Sequence, residues 1–137
     1  MKRSTLAFFL LLGLMPAWAG VYEIGGGTSF TKMAPLNGNA DYSWSKMIYT
    51  VAELNAAGLS GAREIAGLGF QLQNRISYDR YLAQRVFLRH TSASAYGGGN
   101  EYPDSTGATL VYAGPVTFHG SGWQQLAFSQ TFLWNGS

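Results

Sequence analysis

EIAGLGFQLQ, residues 64–73, decides how the chain is read. Ala66, Leu68, Phe70 and Leu72 recur every second residue, the period of a strand with one face turned inward. Gly67 and Gly69 fall on the opposite face, where the missing side chains let a neighbouring layer or loop pass close.

Downstream, residues 78–91 give the longest strand pattern. Leu82, Val86 and Leu88 alternate with Ala83, Arg85, Phe87 and Arg89, which sets Arg85 and Arg89 toward solvent with Phe87 between them. Residues 96–107 hold Gly97-Gly98-Gly99-Asn100 and Pro103-Asp104 and read as a loop. Residues 109–118 are strand-like, with a bulge or an edge expected at Gly114-Pro115. Residues 123–128 and 131–134 complete the set.

Upstream, residues 21–24 read as a short strand before Gly25-Gly26-Gly27, and residues 28–40 as a loop carrying Pro35, Asn37, Gly38 and Asn39. Residues 44–51 read as a strand, and residues 52–59 are the single helical candidate, with Gly58 placed to cap its end. About six to eight short strands separated by turns predict an all-β fold, an antiparallel β-sandwich. Asn135-Gly136-Ser137 is a turn signal, after which another strand is expected, so the chain reads as a fragment or as a sandwich lacking its last strand or strands.

The N-terminus follows a different logic. Lys2 and Arg3 precede an apolar run from Leu6 to Met15, and Ala17-Trp18-Ala19 offers small residues at the positions a signal peptidase reads. The run is shorter than the ~20 residues a bilayer span needs. Residues 1–19 are therefore expected to be a signal peptide cut after Ala19, leaving a single domain over residues 20–137.

Cleavage removes two bases and no acid, which takes the 9 Lys and Arg down to 7, equal to the 7 Asp and Glu. The basic balance belongs to the leader, and no cationic block remains to bind nucleic acid or an anionic membrane. There is no cysteine, so disulfide scaffolds, thiolate metal sites and cysteine nucleophiles are excluded.

Tyr42-Ser43-Trp44-Ser45, Ile48-Tyr49-Thr50 and Glu53-Leu54 are followed by the alternating strand from Ile65 to Leu72 and by Val86-Phe87-Leu88-Arg89-His90-Thr91. Leu110-Val111-Tyr112-Ala113-Gly114-Pro115-Val116-Thr117-Phe118, Gly122-Trp123 and Thr131-Phe132-Leu133-Trp134-Asn135-Gly136 come next, in that order. This succession resembles a β-sandwich accessory module of secreted and surface proteins in bacteria that use the type IX (Por) secretion route, over nearly all of the chain after its leader. The resemblance implies a jelly-roll-like sandwich beside proteases, adhesin-like regions or fibronectin-type repeats, without a catalytic role, secreted or held on the outer surface of a Gram-negative cell. Arg89 stands where that module usually has glycine.

Three functions compete. The first is an exported, non-catalytic module for adhesion, surface display or support of a larger secreted protein. The second is a carbohydrate-binding module, with Tyr42, Trp44, Tyr78, Tyr81, Tyr96 and Tyr102 offering aromatic faces to the C–H side of a pyranose. Against it, Trp44 and Tyr49 are better explained as core packing at the start of a strand, since alternation should bury one of these faces, whereas Tyr42 is more open.

The third is a small hydrolase. His90 and His119 are the only histidines, with no Gly-x-Ser-x-Gly elbow and no His-Glu-x-x-His pair, and His90 is better read as bonding a loop backbone. Asp41, Asp79, Glu101 and Asp104 read as solvated loop acids. Asn100, Glu101 and Asp104, with Ser105, could supply hard oxygens to a calcium ion, but their spacing does not match an EF-hand, and Asp104 also suits a turn in which it bonds its own backbone. The expected partners are an extracellular glycan or protein.

Overall fold

A computed structural model describes residues 20–26, 35, 42–97 and 104–137, apart from the side chains of residues 74–79. The expected leader, residues 1–19, lies outside the described residues, as do Asp41, Asn100, Glu101 and Tyr102. Among the described residues the elements are a helix α1 (Val51–Ala56) and two strands, β1 (Arg63–Leu88) and β2 (Thr109–Trp134), of 26 residues each. The described residues are mostly strand, as the alternation predicts. No helix among these residues is long and apolar enough to cross a membrane.

β1 and β2 pair antiparallel in one two-stranded sheet, from Arg63↔Trp134 at one end to Leu88↔Thr109 at the other. The short strands expected between residues 64 and 134 are segments of these two. The breaks between them survive as register shifts, at Ile65/Gly67, Leu72/Ile76, Ile76/Asp79, Tyr81/Gln84 and Val86/Phe87. Gly120 and Gly122 lie opposite Ile76 and Leu72 with φ of 78° and 86°, a left-handed backbone that glycine adopts without steric cost. This irregularity falls at the middle of both strands.

A straight pair of strands this long would measure roughly 80 Å. Its ends nevertheless touch. His90, just past the far end of β1, lies 4.9 Å from the Phe132 ring between centroids, and its Nε2 accepts a hydrogen bond from the Asn135 N–H at 3.3 Å. Thr109 and Leu133, from opposite ends of β2, line one cleft with them. The ribbon therefore doubles back on itself, and the glycine-marked irregularity at mid-length is where its regular pairing gives way.

Alternation buries one side of the ribbon. Leu68, Phe70 and Leu72 are half-buried, as are Leu126 and Phe128 on β2, while Val111, Val116 and Phe118 are buried in the other half, Val111 completely. Ala66 leaves this face because the shift between Ile65 and Gly67 changes the phase. A Cβ on Gly67 would lie 2.8 Å from the Leu126 carbonyl oxygen, and one on Gly69 would lie 3.4 Å from the Trp123 ring. The close neighbour anticipated there is the partner strand and its tryptophan.

Leu82 departs from expectation. It is 67 % exposed rather than aligned with Val86 and Leu88. Between Tyr81↔Val116 and Gln84↔Gly114 β1 carries one extra residue, and Ala83 has φ of 53°. This bulge, opposite Pro115, turns Leu82 outward. Pro115 is tolerated because in a two-stranded ribbon each strand has an outer edge that needs no donor.

Helix α1 starts and stops on local chemistry. The Thr50 N–H donates to Glu53 Oε2 at 2.7 Å and the Glu53 N–H donates to Thr50 Oγ1 at 3.3 Å, a reciprocal cap. At the other end Leu59 N–H donates to the Leu54 carbonyl and Gly58 N–H to that of Asn55, with Gly58 at φ of 92°. The two leucines of this C-terminal motif, Leu54 and Leu59, are buried with Trp134, and Ile24, Ile65 and Phe132 pack around them. The helix is thus fixed over the open end of the ribbon.

Residues 21–24 and 44–51, expected as strands, carry no strand, and Val51 opens α1 instead. For the second, Thr50 is committed to the helix cap and the Ser45 hydroxyl donates to the Pro35 carbonyl at 2.9 Å; neither β1 nor β2 pairs with this segment.

Candidate aromatic and cationic contact site

The segment before α1 and the segment after β1 meet beside the junction of the ribbon ends. Lys46 and Trp44 are two residues apart, in the segment that leads into α1. The Lys46 ammonium stands 5.5 Å from the Trp44 ring and 5.9 Å from that of Tyr96, within cation–π reach of both. Trp44 is 46 % exposed and Tyr96 50 %. Burial as core at a strand start, the competing reading for Trp44 and Tyr49, is not what the structure holds: Tyr49 is 43 % exposed as well.

Electrostatic coupling extends the group. Partial burial raises the Tyr96 hydroxyl above its ordinary value, proximity to Tyr49 raises it further, and Arg89 opposes both. Tyr49 is raised chiefly by burial and then by the Glu53 charge, and its hydroxyl donates to Met47 Sδ at 3.6 Å. Asp104 is lowered first by the hydrogen bonds from Thr106, then by the charges of Arg89 and Lys46. Trp44, Lys46, Tyr49, Arg89, Tyr96 and Asp104 thus form one neighbourhood drawn from three stretches of chain.

The other aromatic candidates separate. Tyr42 is 95 % exposed, two residues before Trp44. Tyr81 packs edge-on against Phe118 at 6.0 Å, inside the ribbon face, and is removed from the contact surface. The side chain of Tyr78 and the whole of Tyr102 lie outside the described residues.

Asp104 Oδ1 accepts the Thr106 N–H at 2.9 Å, and its Oδ2 sits 3.9 Å from Arg89 Nη1. Its carboxylate is therefore spent on a turn and faces a cation, which opposes its service to calcium; Asn100 and Glu101, the other two ligands expected, are not described. Among the described residues no three His, Asp or Glu side chains come together as a metal site.

Two open clefts flank the patch. One, about 360 Å³, is lined by Arg89, His90, Thr109, Gln130 and Thr131 among others. The second, about 550 Å³, lies between Ile24, Ile48, Tyr49 and α1, with Glu23 and Glu53 at its edge. His90 accepts from the Asn135 backbone and stacks near Phe132, the loop-bonding role read from the sequence. The His119 backbone N–H donates to the Gln124 side chain at 3.1 Å.

The sequence singles out Trp44 and Tyr96 as stacking candidates but not Lys46. The Trp-Ser-Lys spacing was the available signal. Nothing local pairs residue 46 with residue 96. No family model, no curated protein and no solved structure matches the chain.

Proposed function

We propose that this chain is an exported, non-catalytic β-rich module whose work is contact, and that it binds carbohydrate through Trp44 and Tyr96. One observation carries the reading: two half-exposed rings, 52 residues apart in the chain, are gathered around a single Lys46 ammonium. Exposed aromatic faces offer apolar area to sugar C–H groups at little entropic cost. A purely supporting module has no need to collect them on one surface.

The wider reading is consistent with this. In it the two halves of the folded ribbon stack as the layers of a jelly-roll-like sandwich, the architecture that the resemblance to type IX secretion modules implies. Residues 1–19 direct export, and the domain is displayed outside a Gram-negative cell beside a larger secreted protein. The commitment of Glu53 to a helix cap, His90 to a backbone amide and Asp104 to a turn supports a role without catalysis.

Glycan-array binding followed by affinity electrophoresis of wild type, Trp44→Ala and Tyr96→Ala tests the proposal. The expected result is binding by the wild type and a loss of about five- to thirtyfold in each variant, from ~1–2 kcal/mol per ring. Absence of binding to any glycan would leave only the supporting role.

A further inference from the structure

The patch carries charge as well as rings, and the charge selects among sugars. Lys46 stands over both aromatic faces, and Arg89 borders the same group on the side of the polar cleft. The described charged groups coupled across it are the cations Lys46 and Arg89 and the anions Asp104 and, through Tyr49, Glu53, which is held in the α1 cap. Asp104 itself shows what the cations accept. Its carboxylate rests 3.9 Å from Arg89, at the limit of an ion pair, with both side chains substantially exposed at 47 % and 65 %. A contact this long and this wet is readily exchanged for another carboxylate.

Resting on the carbohydrate-binding reading above, we propose that the ligand is an acidic polysaccharide built of uronic acid units. A pyranose packs on Trp44 and Tyr96, and its carboxylate replaces that of Asp104 beside Lys46 and Arg89. The rings hold the Lys46 ammonium in place, so little side-chain freedom is lost when the anion arrives. Asp104 then acts as an internal competitor that weakens binding.

Isothermal titration of the purified chain with oligogalacturonate, with cello-oligosaccharide of the same length and with polyglutamate tests this. Oligogalacturonate is expected to bind at least threefold more tightly than the neutral sugar, to weaken as salt is raised, and to exceed polyglutamate. Lys46→Gln should lose two- to fivefold more affinity for the acidic sugar than for the neutral one. Asp104→Asn keeps the oxygen that accepts the Thr106 N–H, so the turn survives, and should gain two- to fivefold for the acidic sugar.

Equal binding of acidic and neutral sugars would overturn this inference and leave carbohydrate binding standing. Equal binding of polyglutamate would show charge without sugar recognition and overturn it too. Failure of every sugar to bind would overturn both.

Discussion

The backbone N–H of Asn135 donates to Nε2 of His90 across 45 residues of chain, at 3.3 Å. Each residue lies just beyond one end of a ribbon of two 26-residue strands, so this single bond records that the ribbon has closed on itself. The Phe132 ring beside it, at 4.9 Å, makes the junction apolar as well as polar. Closure carries the stretch after β1 back toward the segment that precedes α1, which is how Tyr96 comes to share Lys46 with Trp44.

His90→Phe keeps a ring against Phe132 and removes the acceptor. It should cost at most about 1 kcal/mol, the worth of one exposed hydrogen bond whose amide then turns to water. His90→Ala removes the ring too and should cost a further ~0.5–1.5 kcal/mol. Urea denaturation checks both, and equal midpoints for the two variants would deny the ring contact.

The helix cap is acid-sensitive. Hydrogen bonds from Thr50, the backbone one foremost, hold the Glu53 carboxyl below its ordinary value of 4.5. A carboxylate lowered by folding stabilises the native state above its unfolded value and loses that contribution as pH falls through its folded value. The cap should therefore be whole at neutral pH and open in acid, below the usual glutamate range. The Thr50 amide chemical shift followed from pH 7 to pH 2 reports this directly, and Glu53→Gln should flatten the response.

Two backbone positions should respond in opposite directions. Gly58 at φ of 92° closes α1, and a Cβ there meets only the Tyr22 ring at 3.7 Å, so Gly58→Ala should cost about 1 kcal/mol through backbone strain alone. Ala83 already sits at φ of 53° in the bulge, and Ala83→Gly should stabilise by up to about 1 kcal/mol. Thermal unfolding compares the two.

The open end of the ribbon depends on one small core. Leu54 and Trp134 are 8 % and 5 % exposed and pack in the same cluster. Leu54→Ala should cost about 2–5 kcal/mol and Trp134→Ala about 3–5 kcal/mol. The double variant should lose less than the two costs combined, because each cavity is shared.

Alternation around Leu68, Phe70 and Leu72 made the strand content legible, and Gly58 marked the helix end. Strand length was not legible. The sequence shows breaks near Gly122 and between Phe128 and Thr131, and only pairing decides whether a break is a loop or a slipped register. Residues 44–51 read as a strand because aromatic and β-branched residues suit one, yet no edge of β1 or β2 pairs with them. Trp44 and Tyr96 were visible as sugar-stacking candidates. Their meeting over Lys46 was not, because it depends on the ribbon closing, which no short window of sequence encodes.

Closure is tested most directly by proton NMR cross-relaxation between the His90 and Phe132 rings. Ring centroids 4.9 Å apart predict strong cross-peaks between their side-chain protons. If the strands instead ran straight, the two ends would be roughly 80 Å apart, and the absence of those cross-peaks in the folded chain would contradict the account.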